Sequence, residues 1–424
     1  MHKIERLLQT LAPKGVEFKT LEEVFEIKNG YTPSKNNPEF WENGTIPWFR
    51  MEDIRENGRI LKDSIQHITP KALKGKKLFP KNSIIISTTA TIGEHALLIV
   101  DSLANQQFTF LSKKANCDLA LDMKFFFYQC FLLGEWCKNN INVSGFASVD
   151  MTAFKKYKFP IPPLEIQQEI VKILDAFTEL NTELNTELNA RKKQYEYYQN
   201  MLLDFNDINQ NHKDAKEKLT QKTYPKRLKT LLQTLAPKGV EFRKLGEVCD
   251  FQKGKSITKK AVTFGKVPVI SGGRQPAYYH NEANRSGETI AISSSGVYAG
   301  YVSYWDIPVF LADSFSVSPK QKTLMPKYLF HYLTTQQDAI HATKSTGGIP
   351  HVYSKDLQNF LIPIPPLEIQ QEIVKILDQF SILTTDLLAG IPAEIKARKK
   401  QYEYYREKLL TFKPLTPHKE VEKC

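Results

Sequence analysis

Cysteine is scarce in this chain, and none of it is arranged for chemistry. The five cysteines, Cys117, Cys130, Cys137, Cys249 and Cys424, form no CxxC pair and have no histidine cluster at zinc spacing. The sequence therefore predicts neither a disulfide scaffold nor a zinc module, but the reduced thiols of a cytoplasmic protein. Long apolar runs are missing too: the richest, Phe125 to Leu133, falls far short of the roughly 20 residues of a membrane span. Met1 to Gln9 is charged and too poor in apolar residues for a signal peptide. There is no GxGxxG, no Walker A and no HExxH. The (N/D)PPY/F loop with which an adenine methyltransferase holds a flipped base is absent as well, since both Pro-Pro pairs read Ile-Pro-Pro-Leu. These absences predict a chain that performs no catalysis and holds no metal or cofactor of its own. Arginine makes up only 11 of the 58 basic residues. The net charge is still +12, with a pI near 9.2. Such an excess suits a polyanionic partner, because Lys and Arg displace condensed counterions from phosphates; a lysine-rich composition produces the same sum without one.

What the chain has in quantity is repetition. Pro160–Asp175 and Pro363–Asp378 both read PIPPLEIQQEIVKILD, LLQTLAPKGVEF occurs at Leu7–Phe18 and Leu231–Phe242, and ARKKQYEYY at Ala190–Tyr198 and Ala397–Tyr405. Between these blocks lie unlike inserts, Lys19 to Phe159 and Arg243 to Ile362. A frame kept twice around differing inserts predicts two similar domains related by a pseudo-two-fold.

The helical part of the frame is legible from local chemistry. Prolines favour extended backbone before them and fit the first helical turn, and Glu165 and Glu169 bring negative charge to the positive helix end. An alternating four-three seam follows, with Ile170, Leu174, Phe177, Leu184 and Leu188 continuing through Tyr195 and Tyr198 to Leu202. This is coiled-coil spacing. From Pro163 to Phe205 the helix would run roughly 60 Å, too long for one small domain to bury, and its duplicate is the evident partner. The second seam runs Ile373, Leu377, Phe380, Thr384, Leu387, Ile391 and Ile395, and its two consecutive fours form a stutter at Gly390-Ile391-Pro392, where a kink is expected. In the first helix Thr178–Asn189 is TELN three times over. Each unit adds about 6 Å and roughly 40° of rotation, which reads either as an adjustable spacer or as low-complexity drift on a tolerant helix.

With the duplicated PIPPLEIQQEIVKIL, the repeated frame and the tetrapeptide repeat in view, the chain resembles the specificity (S) subunit of type I restriction-modification enzymes along nearly its whole length. The resemblance implies an α+β fold: two globular α/β target-recognition domains separated by two long antiparallel coiled-coil helices. The expected layout is a recognition domain over 1–158, a spacer helix over 159–208, a linker over 209–225, a second recognition domain over 226–360, a second spacer helix over 361–413 and a tail over 414–424. Each domain would read one half of a bipartite site in double-stranded DNA, and the helices would set the spacing. Two modification (methyltransferase) subunits would dock, and two restriction subunits can join that core. S-adenosylmethionine, ATP and magnesium would belong to those partners. The helices differ by four residues between their Pro-Pro and ARKKQ landmarks, so the ruler is expected to be asymmetric.

Three paired segments are the expected DNA-facing loops. Lys28, Asn29, Tyr31 and Thr32 match Lys253, Lys255 and Ser256 at the start of each insert. The KGKS of the second lacks the rest of a nucleotide P-loop. Ser87, Thr88, Thr89 and Thr91 match Ser293, Ser294, Ser295 and Tyr298, each group closing a β-strand in a small, hydroxyl-rich turn. Such a turn lets backbone and hydroxyls approach phosphates or base edges, and it also occurs as a plain strand end. Ser144 and Ser148 match Ser345, Thr346 and His351 shortly before the helices. Arg50 and Arg274 are the expected guanine readers, and Gln106 and Gln107 the expected adenine readers. Arg50, beside Trp48-Phe49, equally suits a packed surface role. A coiled-coil scaffold whose inserts bind protein, or an enzyme with a diffuse site, remains compatible with the residues themselves.

Overall fold

The Pro-Pro pairs close two strands, Lys158–Ile161 and Leu361–Ile364, and open two helices, Leu164–Leu203 and Leu367–Thr385. A computed structural model describes residues 2–75, 77–142, 147–209, 215–320, 322–345, 348–385 and 390–415. The chain divides into two units, Met1–Glu183 with Lys396–Cys424, and Leu184–Ile395.

Within each unit the duplicated blocks meet. In the first, strand Glu17–Thr20 pairs antiparallel with Lys158–Ile161, setting Phe18 opposite Pro160. In the second, Glu241–Lys244 pairs with Leu361–Ile364, and Phe242 faces Pro363. The amphipathic helices His2–Leu11 and Lys226–Leu235 are tied to the long helices by ion pairs, Lys3–Glu169 at 2.5 Å and Arg227–Glu372 at 3.1 Å. Each unit is then closed by the end of a long helix. In the first, Leu409 and Leu410 join the core and Val16 bridges Pro414; in the second, Leu202, Leu203 and Phe205 join the core and Asn209 bridges Val240.

The inserts share a topology despite their unlike sequences. The first has a sheet in the order Phe25–Asn29, Phe108–Lys113, Ile84–Ser87, His95–Leu98, Ile60–Leu61; the second has Cys249–Lys253, Ser314–Pro319, Thr289–Ser293, Val302–Trp305. A second, three-stranded sheet is centred on Ile46–Phe49 in one and Val267–Ile270 in the other. One helix from each insert, Met123–Asn139 or Pro326–Thr335, contributes to the core that holds the sheet and the start of the long helix.

The seam residues lie where the heptads put them. Ile170 and Leu174 are buried in the first unit, and Phe177 rests on Tyr402 and Tyr405 with ring centroids 6.2 and 5.6 Å away. In the second, Ile373 and Leu377 are buried and Phe380 stacks on Tyr198 at 5.0 Å. Leu184 and Leu188 are half-buried, and Leu387 lies outside the described residues. Within each unit the start of one long helix therefore lies beside the end of the other, as antiparallel pairing requires. At the stutter a new helix, Ile391–Leu410, begins after Gly390, whose carbonyl accepts from Ala393 N at 3.0 Å. The expected linker over 209–225 is partly folded: it contains the helix Ala215–Gln221, and Leu219 and Tyr224 are buried in the second unit. Short amphipathic turns like this one carry too few periods to be read locally.

Candidate nucleic-acid interface

In each unit the candidate loops come together at one end of the sheet through the same backbone bonds. Gly30 and Gly254 leave the first strand so closely packed on carbonyls that a Cβ would meet Asn105 O at 2.1 Å or Ala312 O at 2.5 Å. Only glycine fits there. Tyr31 N then donates to Ala104 O, and Lys255 N to Leu311 O, both at 2.8 Å. Thr88 N donates to Gln107 O and Ser294 N to Asp313 O, both at 3.0 Å. Finally the segment before the helix docks on the hydroxyl-rich turn. Thr89 bridges Ser148, Ser295 bridges His351, and Val149 N and Val352 N donate to Thr88 O and Ser294 O at 2.9 and 3.0 Å. Sequence pairing of the three segments thus corresponds to a physical cluster in both units.

Not every expected side chain faces outward. Ser87, Thr88 and Ser293 are buried. Their hydroxyls are engaged within the fold, by Thr89 O at 2.7 Å, Thr109 Oγ1 at 2.9 Å and Ser271 O at 3.1 Å respectively. They support the turns and present nothing to a ligand. Asn29 accepts from Thr109 Oγ1 at 3.1 Å, and Lys28 is paired with Glu26 at 2.8 Å. That pairing also holds the Glu26 carboxyl below its ordinary range. Thr32 donates to Gln106, Gln107 is held by Asn105, and Ser345 Oγ accepts from His351 N at 3.2 Å. Lys253, Lys255, Ser256 and Tyr298 are exposed, while Tyr31, Thr91, Ser148, Ser294 and Ser295 are half-buried. Ser144 and Thr346 lie outside the described residues.

Both arginines follow the central strand of the smaller sheet, Arg50 directly and Arg274 four residues after its end, and they differ in freedom. Arg50 caps the helix Met51–Asn57, its N–H donating to Asp53 Oδ2 at 2.6 Å. Its guanidinium lies 3.9 Å from Glu52 and 5.9 Å from the Trp48 ring centre. Its side chain is half-buried against these neighbours. Arg274 is exposed, with its guanidinium 5.0 Å from the Tyr298 ring centre and 5.6 Å from that of Tyr301. Stacking aims it without neutralising it.

Two positioning residues have no signal in the sequence. Asp313 receives Ser271 Oγ at 3.1 Å and Ser256 Oγ at 3.4 Å, joining two candidate loops. Arg285 donates to Ser316 Oγ at 2.9 Å and to the carbonyls of Gln252 and Lys253 at 3.1 Å, fixing the strand end from which the Lys253 loop departs. Its burial pulls its pKa down from the usual arginine value. Among the described residues no group of three or more His, Cys, Asp or Glu side chains is placed to hold a metal ion, and no helix is long and apolar enough to cross a membrane.

A family model described as the type I restriction modification DNA specificity domain matches the chain twice, over residues 13–193 and 237–397. The specificity subunit of the EcoprrI type I restriction enzyme of Escherichia coli is 40% identical over 402 residues, which cover 91% of this chain and 93% of that one. The EcoR124I/EcoR124II specificity subunit of the same organism is 33% identical over 294 residues, covering 62% of this chain and 65% of the relative. In fold, the chain resembles the crystal structure of the S subunit of a type I restriction-modification system from M. genitalium, with a TM-score of 0.55, 19% identity, and 93% and 95% of the two chains covered.

Proposed function

The chain belongs to the type I restriction-modification DNA specificity family, and from that premise we propose that it is the subunit that selects the target of such a complex. Recognition domains over 1–158 and 226–360 each read one half of a bipartite site in double-stranded DNA. The helices over 159–208 and 361–413 set the spacer and dock two methyltransferase subunits, and two restriction subunits are a further addition. The chain itself performs no chemistry; S-adenosylmethionine, ATP and magnesium act on the partner chains.

One observation carries this reading. Both units use the same backbone bonds to gather three loops at one end of the sheet, yet the side chains displayed there differ. A shared scaffold with unlike tips is what two half-sites of different sequence need. The second cluster carries three cations, Lys253, Lys255 and Arg274, against the single carboxylate of Asp313, which leaves the positive sign required at a phosphate surface. Methylome sequencing of cells expressing the chain with its modification subunit is expected to return one asymmetric, two-part motif. Arg274→Ala should relax one base of one part by about 1–3 kcal/mol. Uniform weakening over all sequences would instead mark Arg274 as a phosphate contact, and a complex that methylates no two-part motif would sink the reading.

A further inference from the structure

The second unit displays large apolar side chains at the centre of its positive loop cluster. Val297 is 81% exposed and Ile349 66% exposed. Single exposed apolar residues are ordinary on a surface; what sets these apart is how they are held. Val297 and Tyr298 are the central residues of a turn closed by Ala299 N donating to Gly296 O at 3.0 Å. Gly296 and Gly300, at φ +88 and +86, bracket that turn, and Gly300 N returns to Ser293 O at 2.7 Å. The neighbouring loop is bonded to it, with Gly296 N donating to Pro350 O at 3.0 Å and Ser295 bridging His351. Ile349 therefore stands on the strand of chain directly alongside the Val297 turn. Around them are Arg274, stacked on Tyr298, and Lys355, stacked 5.4 Å from the ring centre of Tyr353.

We propose that Val297 and Ile349 form an apolar wedge that the second recognition domain inserts into the base stack of its half-site. This rests on the DNA-recognition reading above. An apolar tip inside a cationic rim complements one macromolecule in particular. Duplex DNA carries its charge on the outside and apolar base faces within, and minor-groove and architectural proteins use apolar wedges such as Ile and Leu to part a base step and bend the duplex. The equivalent turn of the first unit is shorter, running from Ser87 to Gly93, and its tip is Ala90-Thr91, with Ala90 at φ +57. That tip has no side chain able to fill a base step. The wedge is assigned to the second domain's half-site, which gains specificity from the deformability of a step as well as from base edges.

The test uses the complete complex of the chain with its modification subunits on duplexes bearing the motif found by methylome sequencing. A single mismatch that already unstacks one step is moved through both half-sites. The wild-type complex should bind about tenfold more tightly when one step of one half-site is pre-opened, because the unstacking cost has been removed. The paired variant Val297→Ser with Ile349→Ser should lose that gain while keeping the salt dependence of binding. Val297→Leu with Ile349→Leu should retain it, which separates a wedge from general damage. The proposal is overturned if no pre-opened step improves wild-type binding, if the serine variant keeps the gain, or if the serine variant loses its modification subunits, which would make the tips a protein contact. A wild-type complex that binds no two-part motif would overturn the underlying reading instead.

Discussion

Gln167 and Gln370 occupy the same place in the two sixteen-residue blocks, and both are fully buried. Gln167 accepts from Asp122 N and donates to the carbonyls of Ala120 and Pro162, at 2.7–2.9 Å. Gln370 does the same with Met325 N, Thr323 O and Pro365 O, again at 2.7–2.9 Å. One amide thus pins a loop of the recognition domain to the start of the spacer helix, and does so identically in each unit. Gln370→Leu keeps the volume but orphans a buried N–H and two carbonyls, so it should cost on the order of 3 kcal/mol. Urea unfolding would show it as a lowered midpoint at unchanged slope, and a loss under about 1 kcal/mol would refute the anchoring account. His95 makes a different kind of demand. Burial, then the Arg59 guanidinium and more weakly that of Arg406, push its pKa down to about 3. The folded imidazole therefore stays neutral while the unfolded one takes up a proton below about pH 6.5. Stability is complete above that pH and falls as pH drops, by about 2 kcal/mol between pH 6.5 and 5. Denaturation of wild type and His95→Met at pH 7 and 5 should show a loss larger by about 2 kcal/mol in the wild type, since the lowered pKa of His341 acts equally in both.

The TELN segment is an element that can change length without being rebuilt. A four-residue period puts every threonine four residues after the last, where a hydroxyl can reach the carbonyl one turn back. Thr182 Oγ1 donates to Thr178 O at 2.9 Å, and Thr178 Oγ1 to Leu174 O at 2.9 Å. Leu180, Leu184 and Leu188 are all half-buried. Deleting Thr182–Asn185 leaves an equivalent threonine in place, so folding stability should change by less than about 1 kcal/mol. The helix shortens by about 6 Å. Methylome sequencing should then return both half-sites unchanged with an altered spacer; an altered half-site with the old spacer would contradict the ruler. Much of this element was legible beforehand, because prolines, heptads and a tetrapeptide repeat are local signals. The strand-to-turn segments were also visible from the parallel between Ile84–Gly93 and Ile290–Gly300. Roles that depend on distant partners were not. Gln167 and Gln370 read as polar helix residues until the carbonyls of the insert surround them. Ser87, Thr88 and Ser293 read as displayed hydroxyls until Thr89 O, Thr109 and Ser271 O claim them.

At the scale of the whole molecule, duplication matters most where folding does not require it. Tyr197 and Tyr404 lie in the two copies of ARKKQYEYY and are 61% and 59% exposed. Each stands edge-on to its neighbour, Tyr198 at 5.6 Å or Tyr405 at 5.3 Å. Each also borders a surface pocket, of about 450 Å³ in the second unit and about 530 Å³ in the first. Just beyond, the copies have drifted apart, Gln199-Asn200-Met201 against Arg406-Glu407-Lys408. Two exposed tyrosines at the same place in the repeat, each edge-on to its neighbour, offer the same anchor twice even though the residues beyond them differ, which fits two copies of one partner better than two different partners. Tyrosine is enriched among the few interface residues whose truncation costs about 2 kcal/mol or more. Tyr197→Ala and Tyr404→Ala should therefore each weaken one of the two proposed modification-subunit sites by about 30-fold. Native mass spectrometry should show the wild-type chain with two partners, either single variant with one, and the double variant alone. Both side chains face solvent, so the variants should unfold within about 0.5 kcal/mol of wild type. A single variant that still carries two partners at wild-type affinity would show that the matched tyrosines are not the anchor.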